Sequence, residues 1–184
     1  MALIPRQTLN LFATAVVAAL ASTPSLAAEP HPVDVQAIIH GADGQPVGTV
    51  ALQQAPTGVL LTIEVTGLKP GMHAVHVHTT GACDAASDYK SAGGHLAGNK
   101  EHGYFNANGP HPGDLPNFRV NAQGQAWLQT FNPRISLTQE GEGFIADADG
   151  AALIIHEGVD DYESGPAGNA GSRVGCAIIS AARS

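Results

Sequence analysis

The sequence predicts an all-β protein, an antiparallel sandwich or barrel, and three observations predict it. Turn-forming residues, 22 Gly and 12 Pro, are scattered along the whole chain rather than gathered into linkers. Between them lie short runs in which apolar and polar residues alternate, the period of a strand with one buried face. Beyond the first 27 residues no long stretch keeps the apolar period of a helix.

The chain opens differently. Arg6 precedes an apolar run, Leu11 to Ala21, followed by Ser22-Thr23-Pro24 and then by small residues, Ser25 and Ala27, at the spacing of a signal-peptidase site. Spanning a membrane takes about 20 apolar residues, roughly twice this run. Residues 1–27 are therefore expected to be a secretory signal peptide, cleaved after Ala27, and residues 28–184 a single domain that is periplasmic or secreted. Removing Arg6 takes the formal charge from −8 to −9, which argues against nucleic acid or an anionic membrane as partner.

Strand candidates follow in order. Val33, Val35, Ala37 and Ile39 alternate, as do Val59, Leu61, Ile63 and Val65, with Thr62 and Glu64 turned the other way. Ala126 to Phe131, Ala151 to Ile155 and Val174 to Ile179 complete the set, rich in residues that suit a pleated surface. Trp127 reads as a packing residue on one of these strands. Two turn-rich segments, Thr79 to Asn117 and Glu157 to Arg173, exceed ordinary connections, and loops that long in a compact domain are usually functional. Two cysteines, Cys83 and Cys176, remain in an exported chain. An oxidising compartment favours their pairing over two free buried thiols, and a bridge closing so long a loop is worth about 4–5 kcal/mol in chain-entropy terms.

Seven of the nine histidines fall at spacings that a pair of neighbouring metal ions explains. They are His73, His76 and His78 in GMHAVHVHTTGAC, His95 in SAGGH, His102 in KEHG, His111 in PHPGDLP and His156 in LIIHEGVDD. Imidazole is the commonest metal ligand and is largely neutral at pH 7. His76 and His78, two apart on a strand, project to one face, and His156 at the end of another strand can add a third nitrogen. A nitrogen-rich, flattened set suits Cu(II). His95, His102, His111 and Asp114 share one glycine-rich loop, and three nitrogens with one carboxylate oxygen suit tetrahedral zinc.

These motifs, with AGGH, LIIHEGVDDY and GNAGSRVGC, occur in an order that resembles the copper/zinc superoxide dismutases, especially the exported bacterial members. The resemblance runs from about Val33 to Ala182. It implies an eight-stranded antiparallel Greek-key barrel or sandwich with two long functional loops. The implied reaction is disproportionation of superoxide to dioxygen and hydrogen peroxide at one copper and one zinc ion per chain. Copper would be held by His76, His78, His95 and His156, and zinc by His95, His102, His111 and Asp114, with His95 bridging the two. Asp160 matches an aspartate that links a copper histidine to a zinc histidine, Arg173 an arginine beside the copper channel, and Cys83–Cys176 the family disulfide. His73 matches a structural histidine. Bacterial members occur as monomers and as homodimers.

The match departs from the family in three places. LAGNKE, between His95 and His102, is shorter than in many members and lacks their proline. Pro112 follows a zinc histidine where a small or hydrophobic residue is common. The segment 157–172 contains no lysine, so steering by lysines in that loop is not implied; Lys90 and Lys100, which flank His95, are a hypothesis for the local field. His31 and His40 are expected to be ordinary solvated or half-buried side chains. A periplasmic copper or zinc carrier on the same scaffold is the alternative reading. A copper-only relative is a third, which His102, His111 and Asp114 argue against.

Overall fold

Nine strands run among the described residues, 34–138 and 143–179 of a computed structural model. They are β1 (Val35–Gly41), β2 (Pro46–Ala55), β3 (Gly58–Val65), β4 (Gly71–His73), β5 (Val75–His78), β6 (Phe118–Val120), β7 (Ala126–Asn132), β8 (Ala151–His156) and β9 (Arg173–Ile179). The expected signal segment, His31 and Val33 lie outside the described residues. Seven strands form one sheet in the order β5-β8-β9-β1-β2-β3-β7, and β4 pairs with β6 in a second. Every pairing between these strands is antiparallel.

β4 and β5 are a single run of chain that changes sheets at Ala74, so the nine ladder segments are eight strands in the sense the family resemblance implies. The Ala74 amide leaves both ladders to donate to Gly158 O (2.8 Å), and its carbonyl accepts from the His156 amide (2.9 Å). β4 leads into one edge of the large sheet and β6 leads into the other, through the turn after Val120. Pairing β4 with β6 therefore draws the two edges toward each other, which curls the antiparallel sheet into a barrel.

Strand parity fills the interior. On β3, Val59, Leu61, Ile63 and Val65 are all buried, and Val50 and Leu52 of β2 join them. β8 has no polar alternation because both of its faces are covered. Its inward side chains, Ala151, Leu153 and Ile155, belong to the barrel core. Its outward ones, Ala152 and Ile154, pack under Tyr89, Ala92 and Cys176 in a second cluster. The Cys83–Cys176 disulfide, with Cα atoms 5.8 Å apart, fastens the long loop over that outer face.

Both long segments are loops. Residues 79–117 contain only two single-turn 3-10 helices, Ala85–Ser87 and Lys90–Ala92, and residues 157–172 join β8 to β9. Trp127 overturns its expected packing role: on β7 its neighbours Ala126 and Leu128 turn toward the core, so parity sends the indole outward, 61% exposed. Leu153→Ala is expected to cost about 2–5 kcal/mol in urea unfolding of the metal-free protein. Trp127→Ala should stay within about 0.5 kcal/mol of the parent.

Candidate metal centre

The parity that turns Val75, Val77, Leu153 and Ile155 into the barrel turns the residues between them out. Val75 pairs with Ile155, His76 with Ile154 and His78 with Ala152, so both imidazoles lie on the outer surface of the β5–β8 ribbon. A register shift between Ile155 and His156 brings His156 opposite Arg173 on β9. The loop then adds its own backbone to the free edge of β5. Val77 N–H donates to Gly113 O (2.8 Å), Leu96 N–H to Val77 O (2.8 Å), and Gly113 N–H to Leu96 O (2.9 Å). Asp114 is thereby bridged to His76, and His95 to His78. Gly113 has no substitute in this crossing, since a Cβ there would stand 2.3 Å from the Val77 carbonyl.

Two buried groups result, sharing His95. His76, His78, His95 and His156 bring one ligand atom each within 4.8 Å of one another, and so do His95, His102, His111 and Asp114. All seven side chains are buried. One nitrogen of most rings is committed to a fixed acceptor: His76 Nε2–H donates to Asp160 Oδ2 (2.8 Å), His78 Nδ1–H to Gly93 O (3.0 Å), and His156 Nδ1–H to Gly171 O (3.2 Å). The opposite nitrogens, His76 Nδ1, His78 Nε2 and His156 Nε2, have no hydrogen-bond partner, nor does His95 Nε2. Buried polar atoms rarely stay unpaired, and four bare imidazole nitrogens facing one point fit a nitrogen-seeking ion such as copper.

The second group fits a tetrahedral ion. Asp114 Oδ1 is surrounded by Nδ1 of His102 (3.1 Å), His95 (3.2 Å) and His111 (3.3 Å), the last misaligned for a hydrogen bond. A tetrahedron with arms of about 2.0 Å has edges of about 3.3 Å, the zinc value. His102 makes the fit sharper. Its Nε2–H donates to Asp160 Oδ1 (2.9 Å), so in the singly protonated form Nδ1 turns a lone pair toward the Asp114 carboxylate. A cation between them removes that repulsion.

Asp160 thus joins the two groups, accepting from His76 and His102, and the Tyr162 amide also donates to its Oδ1 (2.6 Å). Gly168 presses against that bond at φ +61°, and a Cβ there would collide with the carboxylate. Arg173 donates Nη1–H to Tyr89 O and Nη2–H to Gly93 O, each 2.7 Å, and lines a cavity of about 400 Å³ with Asp88, Lys90, Gly171 and Ser172. Lys90 reaches that rim but lies 3.5 Å from Asp88, an exposed pair; Lys100 is exposed and lines neither the cavity nor the groups. His73 is buried outside both groups, between the carbonyls of Lys69 and His156 (2.7 Å each), and His40 is half-buried on β1.

Sequence reasoning missed four supporting residues. Tyr89, left-handed at φ +57°, donates its hydroxyl to His40 O and Gly41 O and so anchors the carbonyl that Arg173 uses. Asn117 holds Asp160 by two hydrogen bonds to its main chain. Asn132, the last residue of β7, and Arg134 just beyond it reach the His111–Asp114 turn. None carries a motif, because all act through backbone groups.

Burial governs the charges. It pushes the His78 imidazole down to about 2, His156 to about 3 and His95 to about 4, with neighbouring rings and, for His78 and His156, Arg173 adding to the effect. Burial alone would raise Asp114, but His111, His95 and the Gly103 amide outweigh it and hold the carboxyl well below the ordinary range. Asp160 is likewise lowered, through His76 and His102 against its own burial.

Comparison with known proteins settles the family. The sequence profile of the family described as "Copper/zinc superoxide dismutase (SODC)" matches residues 46–179. The chain belongs to the copper/zinc superoxide dismutase family. It is 40% identical over 146 residues to the Superoxide dismutase [Cu-Zn] of Caulobacter vibrioides, covering 78% of this chain and 83% of that protein. It is 41% identical over 138 residues to Superoxide dismutase [Cu-Zn] 1 of Aquifex aeolicus, covering 74% and 81%. Among solved structures, a double mutant of a SOD-like protein from Bacillus subtilis superposes with a TM-score of 0.75 at 37% identity, covering 79% of this chain and 96% of that one. The Cu/Zn superoxide dismutase from Brucella abortus gives 0.63 at 27% identity, covering 79% and 98%.

The depressed imidazoles set a pH dependence for the metal-free member of the family. Between pH 6.5 and the folded-state values of about 4, 3 and 2, the unfolded chain binds protons at His95, His156 and His78 that the folded protein refuses. Stability therefore falls with falling pH across that window, by up to about 1.4 kcal/mol per pH unit per histidine, and each contribution levels off below its folded value. The lowered carboxylates add loss in the same direction at still lower pH. Urea titrations between pH 7.5 and 4.5 should show this slope; a flat profile would contradict it.

Proposed function

We propose that this protein disproportionates superoxide at a histidine-bridged pair of metal ions, two superoxide ions and two protons giving dioxygen and hydrogen peroxide. The observation that carries the reading is the set of buried, partnerless nitrogens on His76, His78, His95 and His156 beside the His95–His102–His111–Asp114 group. His76, His78, His95 and His156 hold copper; His95, His102, His111 and Asp114 hold zinc. Bound copper supplies a one-electron couple that superoxide can reduce and reoxidise, and zinc supplies a redox-silent positive charge.

The chain's own residues do the rest. His95 would offer Nδ1 to the zinc group and Nε2 to the copper group; when Nε2 is not a ligand it can hold one of the two protons that the second superoxide ion needs, the other coming from water. Asp160 fixes the tautomers of His76 and His102 at once, so neither ring can turn without disturbing the other ion. Arg173, pinned by two carbonyls at the cavity rim, binds the small anion beside His156. Export follows from the same reading: residues 1–27 direct secretion into an oxidising compartment, periplasmic or extracellular, where the Cys83–Cys176 bridge persists.

Protein loaded with both metals is expected to accelerate superoxide decay in a stopped-flow assay. His156→Ala should abolish the acceleration. Arg173→Ala should lower kcat/KM about ten- to hundred-fold, the worth of one hydrogen bond to a charged group. Loaded protein that binds both ions and leaves superoxide decay at the rate of buffer would instead be a carrier.

A further inference from the structure

We infer that Arg134, with Asn132 beside it, is a positioning residue for the zinc ligands His111 and Asp114. The inference rests on the zinc assignment proposed above. The turn His111-Pro112-Gly113-Asp114 makes one internal backbone bond, Asp114 N–H to His111 O (3.2 Å), and Pro112 offers no amide, so its carbonyls draw on donors outside the turn. All four find one. Gly113 O accepts from Val77 N–H (2.8 Å) and Pro112 O from the Asn132 side-chain amide (2.8 Å). His111 O accepts from Arg134 Nε–H (3.3 Å), and Asp114 O accepts from Arg134 Nη2–H (3.0 Å) and the Tyr104 hydroxyl (3.0 Å).

One guanidinium therefore spans the carbonyls of both ligand residues and fixes the distance between them. The planar fork can do this, whereas a lysine ammonium on a flexible stem cannot. The fork is itself held on both sides. Arg134 lies 5.5 Å over the Tyr104 ring, and its own amide donates to Asn132 Oδ1 (2.9 Å), on a side chain only 1% exposed. On the far side of the turn, Asp114 Oδ2 accepts from the Gly103 and His111 amides (3.0 Å each). With its main chain and Oδ2 committed, Asp114 has only Oδ1 left to turn toward His95, His102 and His111. A positive charge next to a cation site is unfavourable in itself, so its presence needs this geometric return.

The test is chelator competition for Zn²⁺ on the fully loaded full-length protein, run for the parent, Arg134→Lys, Arg134→Met and the milder Tyr104→Phe, which keeps the ring and removes one donor. Both Arg134 variants are expected to release zinc about 10- to 100-fold more readily, the usual effect of losing an orienting partner, while copper retention stays at the parent level. Tyr104→Phe should fall between. The gain in melting temperature on adding Zn²⁺ to the metal-free protein should shrink in the same order, and the visible spectrum of Co²⁺ at the zinc position should broaden or shift. Zinc release within twofold of the parent, with metal-free and zinc-loaded melting temperatures lowered equally, would overturn the inference and leave Arg134 merely structural. Tighter zinc on removing the charge would overturn it too. If the parent itself loses zinc as readily as Asp114→Asn, the zinc assignment has failed rather than the role of Arg134.

Discussion

An imidazole ring has two nitrogens, and everything at this site depends on one of them being tied down. Asp160, Gly93 O and Gly171 O take the protons of His76, His78 and His156, which leaves each opposite nitrogen bare and aimed. A free ring would tautomerise and rotate; a ring held at one atom presents a lone pair in a fixed direction. Those acceptors come from three separate stretches of chain, two in the segment 157–172 and one in the segment 79–117. The loops are therefore not coverings laid over a finished centre but half of its construction, with the barrel supplying the other half through β5 and β8.

The same arrangement reconciles an acidic protein with a cluster of basic side chains. Burial keeps His78, His95 and His156 neutral well below neutral pH, so these three rings offer lone pairs rather than positive charge. The negative charge it does hold is confined to two buried carboxylates, Asp114 and Asp160. Divalent ions thus meet neutral nitrogens and a small anionic complement in a region from which water is largely excluded. Arg173 keeps its positive charge at the rim because carbonyls, not carboxylates, hold it.

Much of this was legible in the sequence, and what was not has a physical reason. β3, β7, β8 and β9 announce themselves through alternation or a continuous apolar run, and the two long loops through their length. β2 was missed because Gly48, Gln53 and Gln54 break its pattern, and β4 and β6 because three residues are too few to show a period. The converging histidines and Asp114 were readable because imidazole and carboxylate at such spacings have few other uses, and Asp160 through the family resemblance alone. Tyr89, Asn117, Asn132 and Arg134 were not, since each bonds main-chain atoms whose positions a sequence does not encode. Trp127 misled because a strand pattern fixes which residues share a face, whereas which face meets the core must be judged from its neighbours Ala126 and Leu128.

The change of partners at Ala74 ties assembly order to chemistry. The chain crosses between sheets one residue before β5, and the β4–β6 pairing that curls the sheet joins segments more than forty positions apart. Contacts so distant form late in folding, because the entropy of bringing the ends together is spent before any reward arrives. The ribbon beneath His76 and His78 is as long-range, since Val75 of β5 pairs with Ile155 of β8. The preformed ligand set therefore belongs to the folded chain and not to an extended one.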